Sequence, residues 1–148
     1  MKLTLIRGIP GSGKTTKALE LAEDNDEIIE ADMFFEVLNE DGTDVDYKFD
    51  FEFLGAAHKW CQSMAEYMLF GGENVIISNT SIHYKDINTY YKIALKYGAE
   101  FEIINCIGNY KNTHNVPEEV IKRMKERFKP ISTEEWLEHV AEMEERKI

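Results

Sequence analysis

Eight consecutive residues, Gly8-Ile9-Pro10-Gly11-Ser12-Gly13-Lys14-Thr15, match the spacing G-x-x-x-x-G-K-[ST] at every fixed position. Glycines let a backbone wrap closely around a phosphate, so that successive N–H groups point inward as an anion-binding nest. A helix beginning at this point adds the positive end of its dipole. Gly8, Pro10, Gly11, Ser12, Gly13 and Thr16 are therefore expected to cradle a triphosphate. The Lys14 ammonium would reach the β/γ-phosphates, and the Thr15 hydroxyl would ligate Mg²⁺. An ordinary glycine-rich turn is the bland alternative, but a strand, the loop and a helix stand together here. The expected ligand is a nucleoside triphosphate, ATP with Mg²⁺.

The elements that must position this loop follow from hydrophobic periodicity. Residues 3–6 are an apolar run that reads as a buried strand, and residues 16–22 read as a helix with Ala18, Leu21 and Ala22 on one side. Residues 28–31 form a second strand ending at Asp32, and residues 33–38 predict a short helix. Residues 39–50, with Gly42 and several Asp, read as an exposed loop. From residue 51 to 70 the apolar positions Leu54, Ala57, Cys61, Met64 and Met68 recur at helical steps, stopped by Gly71-Gly72.

Residues 75–77 are a third strand, short and apolar enough for a buried parallel one. A helix carrying Ile87, Tyr90, Tyr91 and Ala94 follows from near Lys85 and closes at Gly98. Residues 101–107 are a fourth strand, and residues 108–115 a polar loop. Pro117 suits a first helical residue, ahead of a stripe of Val120, Ile121, Met124 and Phe128. Ser132-Thr133-Glu134-Glu135 resembles a capping box opening a last helix, with Trp136, Leu137, Val140 and Met143 inward. Strands alternating with helices predict an α/β, three-layer fold: a parallel sheet of about four strands with helices on both faces, in one domain over residues 1–148. The loop, Asp32 and residues 78–81 all fall at carboxyl ends of strands, where such folds bind ligands.

The chain has 148 residues and a formal net charge of −11. It holds no run of 18 apolar residues and no basic-then-apolar leader, so a cytoplasmic protein without a membrane partner is expected. Cys61 and Cys106 stand far apart and read as small apolar packing groups. Between Glu20 and Glu52 there are 14 acidic residues and one Lys, a stretch that repels phosphates. Residues 117–129 are locally basic, with Lys122, Arg123, Lys125, Arg127 and Lys129. Any contact with a nucleic-acid end would be short and confined to one face.

Several reactions use such a loop. Helicases and large ATPases generally need more chain, and the N-K-x-D-type guanine signature is absent. The acidic residue that usually closes an apolar strand and holds a metal water is also missing: Ser78 follows Val75-Ile76-Ile77. That favours a small kinase, whose metal takes most of its ligands from the triphosphate. Asp32 is the first acidic residue beyond the second strand. By position it is either a base that accepts a substrate hydroxyl proton or a helix N-cap.

The phosphate loop, Ala31-Asp32-Met33-Phe34-Phe35, Tyr47-Lys48-Phe49-Asp50, Leu54-Gly55-Ala56-Ala57-His58-Lys59-Trp60-Cys61-Gln62, Val75-Ile76-Ile77-Ser78-Asn79-Thr80 and Asn112-Thr113-His114-Asn115-Val116-Pro117 occur in this order. Together they resemble the P-loop kinase domains related to polynucleotide 5′-hydroxyl kinases, from about Lys2 to Phe128. The resemblance implies that Asp32 is the general base and that Asn79 and Thr80 help arrange base and substrate. Capping of the next helix is the alternative for these two. It also matches His114 to a lid histidine and Lys111 to a lid position that usually holds Arg. Lys supplies charge there without a bidentate fork. Phe35 stands where polynucleotide kinases carry an Arg that holds the substrate phosphate, and the segment before Val116 is short.

On a helical wheel Lys122, Lys125 and Lys129 point away from the apolar stripe, while Arg123 and Arg127 flank it. Those two arginines either reach the triphosphate or pair with Glu119 and Glu126. His58 reads as a packed or surface histidine beside a core stripe. The leading expectation is an ATP-dependent kinase acting on a hydroxyl acceptor, a polynucleotide 5′ end or a nucleoside-like group. A small-molecule kinase, or an ATP-binding regulatory protein with weak turnover and a basic protein partner, is the alternative.

Overall fold

The computed structural model describes residues 1–38, 42–110 and 116–146. Among the described residues six strands and five helices follow in the order β1 (Lys2–Arg7), α1 (Lys14–Leu21), β2 (Glu27–Ile29), β3 (Glu36–Leu38), β4 (Val45–Tyr47), α2 (Leu54–Phe70), β5 (Val75–Ser78), α3 (Tyr84–Lys96), β6 (Glu100–Asn105), α4 (Glu118–Arg127) and α5 (Thr133–Glu145). Four strands form a parallel sheet in the order β2-β5-β1-β6, with Leu5 opposite Ile77 on one side and Ile103 on the other. This is the α/β arrangement expected from the sequence.

Strand alternation decides what lies on each face. Leu3 and Leu5 of β1, Val75 and Ile77 of β5 and Ile103 of β6 share a core with Ala57, Cys61, Ala65 and Leu69 of α2, Ile87, Tyr90 and Ala94 of α3, and Trp136 of α5. The intervening residues Ile6 and Ile76 face the other way and meet Ala18 of α1 together with Cys106. One face thus carries three helices and the other a single helix of eight residues. Both cysteines are free thiols and buried. No helix among the described residues is long and apolar enough to cross a membrane.

The structure departs from the sequence reading in four places. Residues 31–35 form a 3-10 turn, not the start of a helix through residue 38. Glu36–Leu38 and Val45–Tyr47 pair antiparallel as a hairpin inside the expected helix and loop. Pro117 caps α4 from outside, its ψ of 140° being extended backbone. In α5 the Ser132–Glu135 capping box is present and Trp136 is buried, but Leu137 and Met143 lie outward, each about two-fifths exposed. Helix α5 lies along β6 at the sheet edge, so only a narrow stripe of its surface is covered.

A charged residue closes the main core. Arg7 ends β1, is completely buried, and stands on the three-helix face after Leu3 and Leu5. Its Nε donates to the Ser81 carbonyl at 3.0 Å, Nη2 to the Ile82 carbonyl at 3.1 Å, and Nη1 to Asn105 Oδ1 and the Lys129 carbonyl, each at 2.8 Å. The guanidinium also sits 4.5 Å from the Phe128 ring centre. Four of the five N–H groups of an arginine are thereby used. Ser81 adopts φ 44°, a left-handed conformation unusual for a residue with a Cβ, and its carbonyl is held by Arg7.

Arg7→Ala should lower unfolding free energy by about 3–5 kcal/mol, since it orphans several buried acceptors together. Arg7→Lys should recover little of this, because a point charge does not reach acceptors spread around a planar fork. Urea unfolding measures both; a loss under about 1 kcal/mol for Arg7→Ala would mean the acceptors find other donors.

Candidate nucleotide and acceptor site

The loop 8–13 leaves β1 beside β5 and turns into α1. Its backbone is tied on both sides: Gly8 N–H donates to the Thr80 carbonyl at 3.2 Å, Gly108 N–H to Ser12 at 3.1 Å, and Tyr110 N–H to Gly11 at 2.7 Å. Gly13 takes φ 95° as α1 begins, and a Cβ there would lie 3.0 Å from the Tyr110 ring. At Gly8 a Cβ would lie 2.3 Å from Ser12 Oγ and 2.7 Å from the Cys106 carbonyl oxygen. Ser12 Oγ is buried and has no hydrogen-bond partner among the described residues. A cradle of closely packed glycines with an unpartnered hydroxyl beside a helix start suits a phosphate group.

Lys14 and Thr15 open α1. The Lys14 ammonium donates to the Ile9 carbonyl at 3.0 Å, arched over the loop. Burial pushes it below its ordinary pKa, while Cys106, Glu30 and Asp32 oppose that shift. The Thr15 hydroxyl donates to Glu30 Oε1 at 3.0 Å. Pro10 is half-buried, and Thr16 is exposed on the first turn of α1.

Asp32 lies in the 3-10 turn just past β2, half-buried and within electrostatic reach of Lys14. The Tyr47 hydroxyl donates to Asp32 Oδ1 at 2.9 Å from the β3–β4 hairpin. Burial first, and this hydrogen bond second, push the Tyr47 phenol well above its ordinary pKa. Asn79, beyond β5, accepts from Ala31 N–H at 2.8 Å and so fastens the Asp32 turn to the neighbouring strand end. It does not cap a helix. Asp86 does that for α3, accepting from His83 N–H at 3.2 Å. Among the described residues the amide nitrogen of Asn79 has no hydrogen-bond partner, although the Cys61 thiol and Tyr90 hydroxyl lie close to it. Burial lifts Cys61 to about 11, against the pull of Asn79, so the thiol is protonated and unreactive.

Thr80, Arg123 and Arg127 meet in one cavity of about 270 Å³ between the loop after β5 and helix α4, with His83 and Asp86 on its wall. Neither arginine makes an ion pair with Glu119 or Glu126 among the described residues. A smaller adjoining cavity of about 110 Å³ shares Thr80 and Asp86 and brings in His58 with Gln62 and Tyr90. His58 is thus a half-buried cavity wall on α2. Lys111 and His114 lie outside the described residues.

Three participants escaped the sequence reading. Arg7 sits one residue before the loop in what reads as an apolar strand. Glu30 shares a strand end with Asp32, and the Glu-x-Asp alternation was its only signal. Tyr47 belongs to Val45-Asp46-Tyr47-Lys48-Phe49, whose apolar-polar alternation marks a strand but is masked by flanking Asp and Gly.

Known proteins agree with this architecture. A family model described as an AAA domain matches residues 3–131. Human (Homo sapiens) NEDD4-binding protein 2 is 32% identical over 138 residues, covering 85% of this chain, which spans only 8% of that protein. A chain in the solved Pnkp1/Rnl/Hen1 complex superposes with a TM-score of 0.56 at 22% identity, over 82% of this chain and 38% of that one. The APS kinase CysC of Mycobacterium tuberculosis gives 0.50 at 18% identity, over 84% and 92% of the two chains.

Gly8→Ala should weaken binding of the ATP analogue AMP-PNP at least about tenfold, since the Cys106 carbonyl is backbone and has little room to withdraw. Gly55→Ala on α2, where a Cβ meets nothing within 4 Å, should leave that affinity unchanged and stabilise the helix by up to about 1 kcal/mol. A fluorescence titration and a thermal melt on each variant check the pair.

Proposed function

The chain belongs to the AAA-domain family and is P-loop kinase-like, and from that premise we propose that it transfers the γ-phosphate of ATP to a hydroxyl acceptor. One observation carries the reading. Lys14, on the expected phosphate side, and Asp32, the expected base, stand beyond the ends of β1 and β2, the two strands that flank β5, within each other's electrostatic reach. Gly8, Gly11, Ser12, Gly13 and Lys14 would hold the triphosphate, and Thr15 would ligate Mg²⁺. That metal supplies charge neutralisation between the phosphates when bound. Asp32 accepts the acceptor hydroxyl's proton, and Tyr47 and Asn79 hold it in place as positioning residues. Arg123 and Arg127 line the cavity they share with Thr80 and suit an anionic group.

The acceptor is a nucleoside-like group or the 5′ end of a polynucleotide. Phe34 of the Asp32 turn, and Tyr47, Phe49, Phe51 and Phe53 of the hairpin and the segment after it, are exposed, among Glu36, Asp46, Asp50 and Glu52. Phe34 and Phe49 pack on the buried Phe35. Aromatic faces hold a base by stacking, worth about 1–3 kcal/mol per base, while the carboxylates disfavour a long run of phosphates. This supports an acceptor that contributes one ring and few phosphates.

γ-Labelled ATP offered with 5′-hydroxyl DNA, 5′-hydroxyl RNA and free nucleosides tests the reading. Lys14→Ala and Asp32→Asn should each reduce transfer by about 10²–10⁴-fold, with ATP binding kept in Asp32→Asn. Parental rates in Asp32→Asn would remove it as the base, and no product from any acceptor would favour a regulatory ATP-binding protein. Tyr47→Phe should lower kcat about tenfold and leave the KM for ATP unchanged, the signature of a lost hydrogen bond to a charged group near the acceptor.

A further inference from the structure

P-loop proteins hold their divalent metal between the hydroxyl of the loop Ser or Thr and a carboxylate at the end of an inner strand. In this chain that strand, β5, ends in Ser78, which is buried and carries no charge, and its hydroxyl has no hydrogen-bond partner among the described residues. The strand beside it supplies what is missing. In the sheet, Ile29 of β2 pairs with Ile77 of β5, so Glu30 follows one residue beyond the last pair, level with Ser78. Glu30 has the alternation of Ile28, which packs with the α1-side cluster, and that is the face on which Thr15 stands. The contact is made: Thr15 Oγ1 donates to Glu30 Oε1 at 3.0 Å.

We propose that Glu30 is the carboxylate of the metal site, transferred from β5 to the adjoining β2, and that it orients the Thr15 hydroxyl toward a divalent cation bound with the nucleotide. A hydroxyl has one proton and two lone pairs. With its O–H donating to Glu30, Thr15 presents its lone pairs to the metal in a fixed direction. A carboxylate that accepts from a ligating group both orients that ligand and makes it a better donor, and loss of such a partner costs about 10–100-fold in metal affinity. The second carboxylate oxygen suits a metal-bound water, which Mg²⁺ retains in such sites. Glu30 is also within electrostatic reach of Lys14, which places its charge near the expected phosphates. Asp32, held by Tyr47, is then left to the acceptor.

The inference rests on the reading of the loop as a nucleotide site, and the experiment separates the two. Mn²⁺ is titrated into the protein saturated with AMP-PNP, and the free ion is followed by electron paramagnetic resonance. AMP-PNP binding is also measured in EDTA. Glu30→Gln, of the same shape and at a half-exposed position, should weaken Mn²⁺ binding to the complex by about 10–100-fold and leave metal-free AMP-PNP affinity within about twofold. Glu30→Ala should match it, with circular dichroism unchanged in both. Parental Mn²⁺ affinity in the two variants would overturn the role of Glu30 while leaving the nucleotide site standing. Failure of the parent to bind AMP-PNP with or without Mn²⁺ would overturn both.

Discussion

The buried guanidinium of Arg7 is the constraint on which the site depends. Placing a cation in a core is costly unless its donors are met, and here they are met mostly by carbonyls from separate parts of the chain. Ser81 and Ile82 belong to the loop after β5, Asn105 to the end of β6, and Lys129 to the segment joining α4 and α5. Each of these has to pass within hydrogen-bonding distance of one planar group at the end of β1. The phosphate loop begins at the next residue. A rigid anchor therefore fixes where the loop starts, where the Thr80 carbonyl meets Gly8, and where α4 brings its arginines. The left-handed Ser81 is one consequence, strain held in place by a strong interaction.

Around this anchor, charge is arranged in a gradient. Lys14 is partly withdrawn from water and faced by Glu30 and Asp32. Its ammonium donates to the Ile9 carbonyl at 3.0 Å. The two carboxylates are two residues apart yet have different partners. Glu30 leans to the helix α1 side and meets a hydroxyl that it accepts from, while Asp32 turns toward the hairpin and accepts from a phenol. Strand alternation gives way to a 3-10 turn between them, and that change of backbone sends the two carboxylates to different partners.

The hairpin β3–β4 shows why part of the site was hard to read. Its strands are three residues each, rich in acidic groups, and stand outside the main sheet. Short strands draw their stability from what they pack on, here Phe35 beneath Tyr47 and Phe49, and that contact is long-range. Local propensity around Gly42 and Asp44 reads as loop. Arg7 was hidden for the opposite reason: a single charged residue ending an apolar strand is assumed to face solvent, and its burial depends on acceptors 74 to 122 residues further along.

The phosphate loop, the four-stranded parallel sheet and the helices that cover it were legible in the sequence, because each rests on contiguous residues whose spacing is itself the physical requirement. The capping box of α5 was legible for the same reason. Tertiary structure alone decided which groups meet: that the Thr15 hydroxyl donates to Glu30, that Tyr47 holds Asp32, that Asn79 fastens the Asp32 turn instead of capping a helix, and that Arg123 and Arg127 share a cavity with Thr80. These pairings are made by strand order and register. Placing β5 between β2 and β1 sets the end of β2 beside the end of β5, where Ala31 meets Asn79, a contact that a separation of 48 positions conceals from any local pattern.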